Sequence, residues 1–204
     1  MSEDRRPARL TDRKRSAIVE AAVAEFREAG FESTSMDRIA ATAGVSKRTV
    51  YNHFPSKDAL FLHIVEDLMC RGSAEHATPY RAEAPLRPQL LELVRHKLGL
   101  MRDPDFTDLA RVAIVASLHS PDLARQLMTQ LGAREHAMAL WVRAAVADGR
   151  LRTDDAALAT QQLESLVKGA AFWPQVAMGQ PPLDDARLDL VAQSTVDMFL
   201  ARYG

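Results

Sequence analysis

Apolar positions recur along most of the chain at intervals of three and four residues, the period of one face of an α-helix. Ile18, Ala22 and Phe26 stand at i, i+4 and i+8 with Val19 and Val23 beside them. They predict an amphipathic helix over 11–29, stopped by Gly30. Met36, Ile39, Ala40 and Ala43 predict a second helix of about two turns, capped by Thr34 or Ser35, with Asp37 placed to favour its positive end. Gly44 supplies a turn, Val45 an apolar plug, and Ser46 a cap for a third helix. That helix must close near Phe54, because Pro55 disfavours α geometry in the residue before it. Ser56 caps a fourth helix with Leu60, Phe61, Ile64, Val65 and Leu68 as its inward stripe. The stretch "GSAEHATPYRAEAPLRP" reads as the end of that helix and a linker. Helical period resumes over 88–102, 105–118, 121–148, 154–178 and 184–202, punctuated by prolines and by the turn "DGRLRTDD". No strand pattern and no internal repeat is visible, so the expected fold is all-α.

Residues 36–54 therefore read as helix, glycine-containing turn, helix, with a supporting helix on each side. On a wheel of 100° per residue, Val50 and Phe54 face the bundle while Arg48 and Asn52 point the opposite way. Lys47, Thr49 and Tyr51 flank that outward face, and Ser46 and His53 join them as candidate DNA contacts. The face suits a DNA major groove: Arg and Lys donate to guanine, Asn pairs with adenine, and a Thr methyl touches the thymine methyl. Lys57 stands in the first turn of the fourth helix, where the helix dipole favours anions, so a phosphate there would meet both free N–H groups and the ammonium. Thr34 and Ser35 are placed to do the same at the second helix. The basic N-terminal "RRPARLTDRKR" is a candidate arm along the duplex.

Charge supports a polarised molecule. The net charge is −1, yet residues 1–57 hold 11 Lys and Arg against 8 Asp and Glu, and the remainder 15 against 19. A cationic head on an acidic body points to an anionic partner at one end. No apolar run approaches a membrane span, and the charged N-terminus lacks the apolar region of a secretory signal. Cys70 is the only cysteine and cannot form an internal disulfide. The expectation is a cytoplasmic protein without a membrane partner. Catalysis finds no support: Asp154–Asp155 and Asp184–Asp185 sit where helices begin and read as caps. There is no phosphate loop, nucleophile elbow or metal-ligand spacing, so neither metal nor cofactor is expected.

The segment "FESTSMDRIAATAGVSKRTVYNHFPSKDALF" resembles the DNA-binding domain of the TetR family of bacterial transcriptional repressors. Gly30–Phe31, Thr34, Ile39–Ala40, Ala43 to Ser46, Thr49 to Tyr51, His53–Phe54, Lys57 and Leu60 carry the match, which runs over about residues 11–65. "KGAAFWPQVAMGQPPL" is similar to a segment of the AefR-like subgroup. The resemblance implies an N-terminal three-helix DNA-binding domain over 1–57 and a C-terminal helical ligand-sensing and dimerisation domain over 58–204, about nine helices in all. It implies that Lys47, Arg48, Thr49, Tyr51, Asn52 and His53 face DNA, with Tyr51 and Lys57 on phosphates. It implies a homodimer on a palindromic double-stranded operator, released by a small and mostly apolar effector. The last two helices are the candidate dimer face, through Leu163, Leu166, Gly169, Ala170, Val191, Thr195, Met198 and Phe199. Met101, Phe106, His119, Trp141, Phe172 and Trp173 are the candidate effector pocket, since adaptable Met and aromatic groups suit an apolar cavity. Two rivals remain: an architectural DNA binder with little sequence preference, and an interaction adaptor using the helical body alone.

Overall fold

The computed structural model describes the backbone over residues 6–74, 79–132 and 137–204, and side chains over 11–68, 79–130 and 137–204. Among these residues all regular structure is helical. The order is α1 (Arg6–Ser33), α2 (Met36–Thr42), α3 (Lys47–His53), α4 (Lys57–Ala74), α5 (Leu86–Leu100), α6 (Pro104–His119), α7 (Pro121–Gly132), α8 (Ala137–Ala147), α9 (Ala156–Val167), a π-helical turn (Lys168–Phe172), α10 (Trp173–Met178) and α11 (Asp185–Tyr203). The N-terminal stretch read as an arm is helical from Arg6. The side chains of residues 6–10 and of Cys70 lie outside the described residues.

Two compact units divide the chain: residues 1–68 with 108–131, and residues 69–107 with 132–204. In the first, Ile18, Ala22, Phe26, Ile39, Val50, Leu60 and Phe61 are fully buried. Phe26, Phe31 and Phe61 form a ring cluster with centroids 4.7–5.5 Å apart. The helical run of α1 is kinked at Gly30, whose φ of 79° is a left-handed conformation that glycine adopts freely.

In the second unit Leu90, Val94, Leu98, Met101, Trp141, Val142, Leu163, Val167 and Val196 make the core. α5 begins two residues earlier than its periodicity predicts. Pro88 occupies the first turn, where the backbone N–H has no intrahelical acceptor to lose. Residues 81–85 of the preceding segment, read as a linker, are held by side chains. The buried Gln89 amide donates to the carbonyls of Arg81, Ala84 and Pro85 and accepts from the Arg81 N–H. Arg150 donates to the carbonyls of Ala82 and Ala84. Arg87 and Arg95 of α5, and Arg102 just past its end, pair with Asp197, Asp189 and Asp185 of antiparallel α11. The predicted helix over 154–178 carries a π turn, in which the Trp173 N–H reaches back five residues to Lys168. Pro174 follows directly and has no N–H to continue the α ladder. The buried Gln175 side chain then ties this helix to the end of α5, its Nε2 donating to the carbonyls of Ala171 and Met101.

Candidate functional site

Two seven-residue helices are too short to be stable alone. α2 and α3 persist because each is capped and each drives side chains into the first unit's core. Ser35 accepts from the Arg38 N–H at the start of α2, and Ser46 accepts from the Thr49 N–H at the start of α3. Ile39 and Ala40 anchor α2, and Val50 anchors α3. Between them Gly44 holds a φ of 65°. A second fixture is polar. Glu25 of α1, itself buried, accepts from Thr42 Oγ1 at 2.6 Å and pairs with Arg38 at 2.7 Å, gripping α2 by both ends.

With Val50 turned inward, the rest of α3 is presented to solvent. Lys47, Arg48, Tyr51 and Asn52 are exposed, and Thr49 and His53 half-buried. Tyr51 is 51% exposed, unusual for so large a ring with no packing duty. Lys47 is paired with Asp37 of α2. Ser46 and Thr49 share a hydroxyl contact at 2.8 Å.

Two of the residues expected to touch DNA are occupied elsewhere. Thr34 is buried, and its hydroxyl donates to the carbonyls of Gly30 at 2.8 Å and Glu25 at 3.1 Å, sealing the end of α1. Lys57 turns its ammonium onto the same end. It donates to the Phe31 carbonyl at 2.6 Å and the Glu32 carbonyl at 3.2 Å and lies 4.3 Å from the Phe31 ring centre. The electronegative partner of Lys57 is thus a helix C-terminus, which concentrates partial negative charge as a phosphate would. Ser35 stays exposed beside its cap bond.

The expected pocket residues fall in both units. Met101, Phe106 and Trp141 are buried in the second, and Phe172 stacks edge-on against Phe106 and Trp173. Trp173 is half exposed. His119 belongs to the first unit, where it borders a cleft of about 370 Å³ between the end of α1 and α6. The Trp141 indole nitrogen is buried with no hydrogen-bond acceptor among the described residues. Of the expected dimer residues, Leu163, Thr195 and Phe199 are buried within the protomer. Leu166, Ala170 and Val191 are half-buried, and Gly169 and Met198 exposed.

One residue escaped the sequence reading. Lys97 lies on the apolar face of α5, within about 40° of Leu90 and Leu93 on a 100° wheel. That register was the signal that could have found it. The residue is half-buried, and burial pushes its ammonium below the ordinary lysine range. Glu164 and Lys168 are its charged neighbours, and the Glu164 carboxylate is bonded at 2.8 Å to Lys168.

This geometry has a counterpart in known proteins. Residues 18–64 match the family model of bacterial regulatory proteins of the tetR family, and residues 88–204 match that of the AefR-like transcriptional repressor C-terminal domain. The chain belongs to the TetR family. It is similar to the crystal structure of a TetR family transcriptional regulator from Pseudomonas syringae pv. tomato str. DC3000, at 46% identity and a TM-score of 0.82, over 94% of this chain and 97% of that one. It is also similar to the flavonoid-responsive regulator FrrA, at 30% identity and a TM-score of 0.78, over 93% and 96% of the two chains. The transcriptional regulator RutR of Escherichia coli (strain K12) is 30% identical over 139 residues, which span 67% of this chain and 65% of RutR. This TetR-family chain is a DNA-binding transcriptional regulator, not an enzyme. No helix among its described residues is long and apolar enough to cross a membrane.

Proposed function

We propose that this regulator is a cytoplasmic repressor that binds a palindromic operator as a homodimer and leaves it when a small, mostly apolar effector enters the C-terminal unit. The observation that carries the reading is α3, a capped helix with one buried anchor and an outward face of Lys47, Arg48, Tyr51 and Asn52. One such helix reads too few base pairs for a specific site. Two-fold pairing doubles the contacts and fixes the half-site spacing. Leu158, Trp173, Leu190 and Met198, each about half exposed on α9, α10 and α11, supply apolar surface for that pairing. Trp141 supports an effector, because a buried N–H without an acceptor costs about 1–3 kcal/mol that a ligand could recover. The similarity to FrrA, a flavonoid-responsive regulator, is consistent with an aromatic effector.

Selection from random duplex DNA at fixed salt tests the reading. Enrichment of a palindrome with half-sites about one helical turn apart is the expected result. Salt-sensitive binding without enrichment would replace it with the architectural reading.

A further inference from the structure

We propose that Lys97 is the anchor for an anionic group, a carboxylate, on the effector of this regulator. The inference rests on the effector-responsive reading above and adds the chemical class of the ligand. Lys97 occupies the apolar face of α5, in register with Leu90, Leu93, Val94 and Met101, all of them buried. A lysine in that register ordinarily meets a buried carboxylate or carries its ammonium out to water. Lys97 has no hydrogen bond or ion pair among the described residues, and it is half-buried. Its acidic neighbour Glu164 is bonded to Lys168, so two ammonium groups share one acid. Burial holds the basicity of Lys97 below the ordinary lysine range, with Glu164 opposing that shift and Lys168 adding to it.

The helix opposite points the same way. The π turn Lys168–Phe172 begins at Lys97's neighbour and is tied through Gln175 to the Met101 carbonyl, one turn beyond Lys97 on α5. Such turns widen a helix and occur often at functional sites. The π turn follows directly on α9, the helix that carries Glu164 and packs against α5. A carboxylate seated on Lys97 would complete the charge balance, and its apolar remainder would suit a unit whose core includes Met101, Phe106 and Trp141.

The probes are straight-chain alkanoates from acetate to decanoate, benzoate and phenylacetate, each beside its amide. They are tested by thermal shift and by operator release on the full-length protein. The variants are Lys97→Met, which keeps the stem and removes the charge, and Lys97→Arg, which keeps the charge. Unliganded Lys97→Met should melt no lower than wild type and bind operator equally. At least one acid should stabilise wild type tenfold more effectively than its amide, lose that advantage in Lys97→Met and regain part of it in Lys97→Arg. The proposal is overturned if no acid stabilises wild type beyond Lys97→Met, or if acid and amide act alike. It is also overturned if Lys97→Met melts several degrees lower or shifts the monomer–dimer equilibrium, because Lys97 would then serve a pair within or between copies. Release of operator by neutral compounds alone would remove the carboxylate and leave the effector reading standing. Lack of release by any compound, with acids still binding at Lys97, would remove the effector reading instead.

Discussion

Replacing Lys57 with methionine separates two roles that the sequence leaves indistinguishable. The side chain keeps its length and apolar stem, and loses its ammonium. In the structure that ammonium donates to the Phe31 and Glu32 carbonyls and covers the Phe31 ring. Hydrogen bonds to a charged group contribute about 1.5–3 kcal/mol each, and a half-exposed cation over a ring about 0.5–1 kcal/mol. The released carbonyls lie near the surface and can recover water, so the net loss is about 2 kcal/mol. For a chain of this size that lowers the melting temperature by roughly 4–8 °C. Operator affinity is then measured against salt at a temperature where both proteins are folded. A residue that anchors α1 leaves the slope of log K against log salt unchanged. A phosphate contact would lower it by about 0.9 for each phosphate released. Arg48→Met, on the exposed face of α3, is the positive control for such a loss. An unchanged melting temperature with a reduced slope would refute the anchoring role and return Lys57 to the phosphate backbone.

Glu25→Ala leaves the Arg38 guanidinium and the Thr42 hydroxyl without their shared acceptor. Arg38 is half exposed, so the expected cost is about 2 kcal/mol, below the 3–5 kcal/mol of a fully buried broken pair. Chemical denaturation measures it, and operator binding should weaken although Glu25 is buried away from the reading face. Gly44→Ala forces a side chain into a φ of 65° and should cost about 1–2 kcal/mol with no steric clash, since no atom lies within 4 Å of the added methyl. Asp189 accepts from Arg95 and from Gln193, and the Arg95 guanidinium holds its carboxyl below the ordinary aspartate range. A lowered folded value means that its contribution is present above about pH 4 and lost as pH falls through the lowered value. Denaturation across that window should show wild type and Asp189→Asn converging in acid, and a gap that widens in acid would contradict the pairing.

The helix-turn-helix was legible because three independent signals coincide there. The caps Ser35 and Ser46, the buried period Ile39–Ala40 and Val50, and the left-handed Gly44 all demand the same local structure. The polar duties were less legible, since a hydroxyl or an ammonium carries no label for its partner. Thr34 looks like a cap from its position, but Ser35 takes the cap and Thr34 turns back onto α1. Lys57 seeks negative charge, and the end of α1, 26 residues earlier in sequence, supplies it. The segment before α5 looks flexible by composition, and only Gln89 and Arg150 reveal its fixed path. Pro174 within a predicted helix was a sign of irregularity, but periodicity alone could not choose a π turn over a break. The register of Lys97 was present in the sequence, and the apolar residues around it drew attention away from the one charge among them.

The polar fixtures of the first unit form a chain of their own. Lys57 of α4 and Thr34 both hold carbonyls at the end of α1, and Thr34 reaches the backbone of Glu25. The Glu25 side chain holds α2, and α2 carries α3 through a four-residue turn. The core alone gives α3 a single buried anchor, Val50, which fixes its depth better than its direction. If its direction depends on this polar relay, a movement of α4 at Lys57 would reach the exposed face of α3 without any change of fold. A double-mutant cycle in operator affinity between Lys57→Met and Glu25→Ala tests the relay. Residues sharing one network couple by about 0.5–3 kcal/mol, whereas independent sites add within about 0.3–0.5 kcal/mol. Coupling above 0.5 kcal/mol would show that the end of α1 transmits position from α4 to α3. Additive losses would mean that α2 is set by Ile39 and Ala40 alone, and that Glu25 contributes stability without orienting the reading helix.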